Sequence, residues 1–202
     1  MQENGLLPAL CKCAAPKRVV TSLDIDVTLV DAARSGDPES FARLYERVEA
    51  DLYKYALYTL GNPHDAEDAV SETFVEAWRG LKNLREPAAF KAWIFRILSI
   101  RLKRRISGYI RQKNELDIED FISSPALSTE DLSPGVSDRT DLLRALDTLK
   151  PEERMIVVLH ALHGYTTKQI AQMLGRPHGT VSSKLHRTLL KLRRLLEEEV
   201  SV

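Results

Sequence analysis

Between Arg176 and Arg194 the chain carries six Lys/Arg and no Asp or Glu. The apolar residues interleaved with these cations decide which way they point. At 100° per residue, with Val181, Leu185, Leu189, Leu192 and Leu196 as the inner side of a helix, the outer side carries Gly179, Thr180, Ser183, His186, Arg187 and Leu190. His178, Ser182 and Lys184 flank that side and complete the candidate set. A small, polar, basic face on the second helix of a helix-turn-helix is what a DNA major groove accepts. A plain helical hairpin with a solvated basic face has the same pattern, so the stretch alone leaves both readings open.

The elements that must position this face are legible just before it. Thr166 with Gln169 three residues on has capping-box spacing, which predicts a helix starting near Thr167. Ile170, Ala171 and Leu174 give that helix an apolar side, and Gly175 ends it. Pro177 suits the first turn of the next helix, where a missing N–H costs nothing.

A second set of charged residues lies upstream. Arg96 to Lys113 holds seven basic residues and no acid. With Phe90, Trp93, Ile94, Ile97 and Leu98 as the buried side of a helix opened by Pro87, the outward row is Ala92, Arg96, Ser99 and Lys103, with Arg101, Arg104 and Arg105 crowding the same end. A basic helix end with aromatics nearby suits single-stranded or opened nucleic acid, where backbone charge and base stacking combine. Asp65, Glu67 and Asp68 fall in the first turns of another helix, where negative charge favours the N-terminal dipole. With Glu72 one turn on, they make an acidic face larger than capping requires.

No catalytic or metal constellation accompanies these groups. The five histidines are scattered, and His160 and His163 lack carboxylates at ligand spacing, so they read as surface or packing residues. There is no phosphate-cradling Gly-rich loop and no Gly-x-Ser-x-Gly elbow. Cys11 and Cys13 are too close for a disulfide and too few for zinc. They read as incidental thiols of a reducing compartment, or, completed by another group, as part of a metal or redox sensor. The expectation is no cofactor, no metal and no enzymatic activity.

The 202 residues carry 29 Lys/Arg against 29 Asp/Glu, a net charge of zero that hides the blocks: Asn114 to Asp141 holds eight acids against one Arg. No signal-peptide pattern and no apolar run of about 18 residues occurs, which predicts a cytoplasmic chain without membrane insertion. Asp26 to Arg34 reads as a short helix. Asp37-Pro38 and Asn62-Pro63 each cap and open a longer one. The first carries Phe41, Leu44, Tyr45, Val48, Leu52 and Tyr55 on one side; the second carries Ala66, Ala69, Val70, Thr73, Phe74, Ala77, Trp78 and Leu81. From about Ser107 the periodicity dissolves into Ser, Pro, Gly and acids; a coil of about 34 residues spans roughly 30–35 Å. Helical order resumes over Asp141 to Leu149 and again from Pro151 to Gly164. The fold expected is all-α: two small helical domains, an N-terminal bundle and a C-terminal helix-turn-helix, joined by a long flexible linker. Its boundaries are a tail at 1–24, a bundle at 25–107, an acidic linker at 108–139 and a helix-turn-helix domain at 140–202.

At Asp65-Ala66-Glu67-Asp68, Glu72-Thr73-Phe74 and Ala77-Trp78, followed by Phe90, Trp93-Ile94 and Arg96-Ile97, the chain resembles the extracytoplasmic-function (ECF) group of bacterial RNA polymerase sigma factors, in the sigma-70 family. The C-terminal block fits the same family at Leu149, Pro151 and Arg154, at Ile170 to Gly175, and at Gly179-Thr180-Val181, Ser183-Lys184-Leu185 and Arg187. The resemblance implies a non-enzymatic subunit that directs core RNA polymerase to promoters. Asp65, Glu67, Asp68, Glu72 and Phe74 would bind polymerase at the β′ clamp helices. Phe90, Trp93, Arg96, Lys103 and Arg104 would engage the minus-10 element, with the loop Leu84 to Ala89 holding an unstacked base. His178, Gly179, Thr180, Ser182, Ser183, Lys184, His186 and Arg187 would read the minus-35 element. The β flap and an anti-sigma factor are further implied partners. The chain departs from the family pattern at Ser71 (usually Gln), Gln169 (usually Glu), Ile100 (often Asn) and Lys184 (commonly Arg), the last keeping charge without the bidentate fork. The rival reading is a free-standing dimeric helix-turn-helix regulator on a palindromic operator, which leaves the acidic helix and the second basic helix without a role.

Overall fold

A computed structural model of the chain describes residues 25–115 and 145–199; the tail, both cysteines and most of the acidic linker lie outside the described residues. Every regular element among the described residues is helical. Helix α1 spans Val27–Arg34 and starts on Asp26, whose carboxylate accepts from the Thr28 N–H at 2.9 Å. Helix α2 spans Pro38–Leu60, with Asp37 accepting from the N–H groups of Glu39 and Ser40. Gly61 ends it at φ +74°, a conformation open to glycine at little cost. Helix α3 spans Pro63–Gly80 and is capped by Asn62. Two 3-10 turns, Leu81–Asn83 and Pro87–Ala89, lead into helix α4, Phe90–Glu115. Pro87 therefore opens a 3-10 turn, and the α-helix proper starts three residues later.

Helix α4 continues eight residues past Ser107, where the sequence periodicity dissolves. Ser107 does not break it because its hydroxyl donates back to the Lys103 carbonyl at 2.9 Å. Among the C-terminal residues, 145–147 form a helical turn, and helix α5 spans Pro151–Val157. A wider π-type turn at Val158–Leu162 extends α5 to Leu162, and Gly164 follows its cap at φ +68°. Helix α6 spans Thr167–Leu174 and α7 spans His178–Glu199.

The N-terminal core is built from the stripes the sequence marks: Leu44, Val48, Leu52 and Tyr55 of α2 meet Ala66, Ala69, Val70 and Ala77 of α3 and Phe90, Ile94 and Leu98 of α4, all buried. Met155, Ile156, Val157, Ile170, Leu174, Val181, Leu185 and Leu192 form the C-terminal core. The two units then pack on each other, α4 lying along α6. Phe95 is the hinge pin of that contact: it is fully buried, 5.8 Å from the Tyr55 ring and edge-on to the Tyr165 ring at 5.5 Å.

This packing corrects the outward row expected on α4. Ser99 is buried, its hydroxyl donating to the Phe95 carbonyl and accepting from the Tyr55 hydroxyl at 3.0 Å. Helix α4 is covered on two sides, by its own bundle and by the C-terminal unit, so a wheel drawn with one inner face misassigns the second.

Candidate nucleic-acid interface

The outer side of α7 is presented as the wheel places it. His178, Gly179, Thr180, Ser182, Ser183, His186, Arg187 and Leu190 are all exposed. The capping box of α6 is formed, with the Thr166 N–H donating to Gln169 Oε1 at 2.9 Å and the Gln169 N–H donating to Thr166 Oγ1 at 3.3 Å. Gly175 closes α6 at φ +61°, and the Thr180 N–H reaches the Pro177 carbonyl at 3.1 Å, so the turn delivers α7 at a fixed angle. His178 Nε2 lies 2.9 Å from Thr167 Oγ1, which ties the first turn of α7 to the first turn of α6. The Arg187 Nε–H donates to the Ser183 carbonyl at 3.3 Å, laying that side chain back along its own helix. Where a Cβ on Gly179 would stand there is open space, so the face is low and unobstructed there.

Lys184 behaves differently from its neighbours. It is half-buried, and its ammonium is hydrogen-bonded to the Glu152 carboxylate, which also accepts from Arg176 Nε at 2.9 Å. Burial alone would raise the Glu152 pKa, yet the Lys184 hydrogen bond and charge, with Arg176 and Lys103, hold it below the ordinary carboxylate value. Glu152 was not marked by the sequence, because nothing in its spacing shows which cations it meets.

On α4 the candidate residues divide by burial. Phe90 is fully buried and touches no solvent; it supports Trp93, 6.1 Å away between centroids. Trp93 is half-buried and passes 3.3 Å from the position a Cβ on Gly80 would take. Arg96 and Arg104 are exposed, and so is Ile100. The Arg96 guanidinium lies over Gly175, leaving 3.2 Å to a Cβ there, so the turn of the helix-turn-helix sits against it. Lys103 is half-buried, and burial together with the nearby Arg176 charge lowers its pKa.

The acidic face of α3 is not one surface but two. Asp65 and Glu72 are bound to α4: Arg105 donates to Asp65 at 3.2 Å and to Glu72 at 3.0 Å, and Arg101 bridges Glu72 and Glu76. Asp65 also meets the Tyr109 hydroxyl, and burial with that carboxylate pushes the phenol up to about 12. Asp68 only grazes Arg105 at 4.0 Å and stays largely exposed, and Glu67 is exposed. Beside these acids the aromatic residues of α2 and α3 gather. Phe74 is buried between Tyr45, 4.3 Å away, and the edge of Phe41; Trp78 lies 4.9 Å from Phe41. Tyr45, Val75 and Trp78 remain substantially exposed, an apolar patch rimmed by carboxylates of the kind that takes a partner.

His163 and His160 pack, as their spacing suggests. His163 is buried at the contact between the units, stacked on Tyr165 and 3.8 Å from the Asp51 carboxylate. Burial, with Lys54 and Lys91 nearby, outweighs Asp51 and lowers its pKa. Among the described residues no group of three or more His, Cys, Asp or Glu is placed to hold a metal, and no helix is long and apolar enough to cross a membrane.

Two family models match: Sigma-70 region 2 over residues 44–115 and Sigma-70, region 4 over residues 139–192. Similar curated proteins include the ECF RNA polymerase sigma factor SigL of Mycobacterium tuberculosis, 32% identical over 84% of this chain and 96% of its own length. SigM of the same species is 33% identical over 85% of this chain and 84% of its own. SigE of Mycolicibacterium smegmatis is 35% identical over 74% of this chain, which spans 59% of that longer protein. Among solved structures, CnrH in complex with the cytosolic domain of CnrY aligns over 87% of this chain and 99% of its own, at 25% identity and a TM-score of 0.64. The sigma factor RpoE of Bartonella quintana, in complex with the anti-sigma factor NepR, has the same fold at a TM-score of 0.64. The dimeric regulator finds no counterpart in these matches. An acidic, aromatic α3 braced by a basic α4, and a basic helix-turn-helix behind them, are thus regions 2 and 4 of one protein: the chain belongs to the sigma-70 family as an ECF RNA polymerase sigma factor.

Proposed function

We propose that the two units divide promoter recognition between them, the N-terminal one docking on the β′ clamp helices of core polymerase and engaging the minus-10 element, the C-terminal one contacting the β flap and reading minus-35 DNA. The observation that carries this reading is the exposure of the whole outer side of α7, from His178 to Arg187, on a turn fixed by Gly175 and Pro177. Exposed Glu67 and Asp68, with the patch of Tyr45, Val75 and Trp78, form the polymerase-facing surface. Asp65 and Glu72 hold α3 to α4, and Phe74 supports the patch from beneath. Trp93, Arg96, Lys103 and Arg104 form the minus-10 surface, with Phe90 behind Trp93. An anti-sigma factor holds the chain inactive, as the complexes formed by CnrH and RpoE suggest. The chain acts in the cytoplasm and catalyses no reaction itself. Reconstitution with core polymerase and run-off transcription from genomic fragments tests the whole reading. Discrete promoter-specific transcripts are expected; transcription no different from core alone would overturn it.

Reversing Glu67 and Asp68 to lysine is expected to weaken co-purification with core polymerase while lowering stability by no more than about 1–2 kcal/mol, from the lost helix-dipole contacts and the Asp68–Arg105 approach at 4.0 Å. Undiminished capture of core would remove these acids from the clamp surface. Arg187→Ala is expected to cost about 1–3 kcal/mol of discrimination among minus-35 sequences if the guanidinium reaches a base edge. Competition binding by the holoenzyme measures it, and an equal loss on every sequence would reduce Arg187 to a phosphate contact.

A further inference from the structure

Glu152 stands among three cations that the promoter-binding surfaces would be expected to use. Its Oε1 accepts from Arg176 Nε at 2.9 Å, and its Oε2 accepts from Lys184 Nζ. Lys103 of α4 stands close enough that Glu152 and Arg176 both act on its charge. The Glu152 side chain is 23% exposed and that of Lys184 29%, so this ion pair is partly desolvated and is screened less than a surface pair. Arg176 comes from the turn and Lys184 from α7, so one carboxylate binds cations from two elements, with the charge of Lys103 nearby. A carboxylate bound this way does what a DNA phosphate does: it accepts charge-assisted hydrogen bonds from lysine and arginine.

We infer that Glu152 is a specificity-determining residue of promoter recognition, an internal stand-in for phosphate that withholds Lys184 and Arg176 from the DNA backbone. Backbone contacts bind every sequence alike, and each cation that neutralises a phosphate steepens the fall of affinity with salt. By keeping Lys184 occupied and drawing the half-exposed Arg176 toward itself through Nε, Glu152 holds down sequence-independent binding. Discrimination is left to the face of α7 whose side chains are free of acids, around Ser183, His186 and Arg187. The inference rests on the reading that α7 faces minus-35 DNA. It assigns Lys184 a role opposite to that of its neighbours: present in the recognition helix, but held back from the duplex.

The test uses the full chain bound to core polymerase, with two promoter duplexes that share a minus-10 element. One carries the minus-35 sequence recovered from run-off transcription, and the other a scrambled one. For Glu152→Gln, affinity for the scrambled duplex is expected to rise about tenfold near 0.1 M salt, the slope of log K against log salt to steepen by about 1–2, and the cognate-to-scrambled ratio to fall. Adding Lys184→Met to Glu152→Gln is expected to recover about one unit of that slope. Lys184→Met alone leaves the slope unchanged, because a withheld lysine contributes no phosphate contact; this arm stands even if Glu152→Gln fails to fold. A slope that is unchanged or shallower in Glu152→Gln, or that falls by about one in Lys184→Met alone, overturns the inference. Arg187→Ala run in parallel separates the two levels. If it alters discrimination while Glu152→Gln does not, the role of Glu152 fails and the reading of α7 stands; if neither variant changes binding to either duplex, the reading of α7 fails.

Discussion

Replacing Phe95 by alanine is expected to lower the unfolding free energy by about 3–5 kcal/mol, the range for deleting a fully buried aromatic ring. Phe95 earns the upper part of that range from its surroundings. Its ring is fully buried, it packs against Tyr55 inside the N-terminal core, and its far edge meets Tyr165 and His163 of the C-terminal unit at 5.5 and 6.3 Å. These neighbours are themselves fixed. The Tyr55 hydroxyl is bonded to Ser99, and His163 and Tyr165 stack with 12° between their planes, so the cavity left by the ring has few ways to collapse. Urea denaturation should show a lower midpoint with an unchanged slope, the sign of lost stability without a change in exposed surface. A cost under about 1.5 kcal/mol would mean that the ring is not enclosed on both sides and that the packing of α4 against Tyr165 does not persist in solution.

Phe95 also marks the limit of what the sequence could reveal. The caps at Asp37, Asn62 and Thr166, and the glycine at 175, are local devices, and each forms as its spacing predicts. The stripes of α2 and α3 are equally legible because each helix buries a single side. Helix α4 is not, since its second buried side exists only when the C-terminal unit arrives, and no periodicity within α4 encodes that arrival. Its length was hidden for a related reason: Ser107 and Gly108 read as a break, but a serine that bonds back to the preceding turn is tolerated inside a helix. The acids of α3 illustrate the same point for charge. Asp65, Asp68 and Glu72 fall within about 60° of one another on a wheel, yet Arg101 and Arg105 reach across from α4, 29 to 40 residues later, and take Asp65 and Glu72 for the fold. On α7 the wheel works because that side of the helix faces no other element. Only Lys184 escapes it, drawn out of line by an acid 32 residues upstream.

Arg154→Ala is expected to cost about 2–3 kcal/mol, the scale of hydrogen bonds made by a charged group. Arg154 Nε donates to the Tyr58 carbonyl at 2.7 Å, across the contact between the units, while its Nη1 reaches Asp147 at 2.5 Å. Tyr58 lies in the last turn of α2, where carbonyls have no partner within the helix. The arginine therefore caps α2 from the other unit, and its charge meets the negative end of the α2 dipole. The side chain is only 11% exposed, so water cannot readily take over when it is removed. Arg154→Lys separates the two contributions: a lysine keeps the charge near the end of α2 but cannot hold Asp147 and Tyr58 together through one planar group. It is expected to recover less than half of the loss. Urea denaturation of both variants measures these differences. If alanine and lysine cost the same, the charge contributes nothing and the geometry of the guanidinium is the whole effect. If alanine costs less than about 0.5 kcal/mol, the tie between α5 and the end of α2 is not made in solution, and the two units are free to part before polymerase or DNA engages either of them.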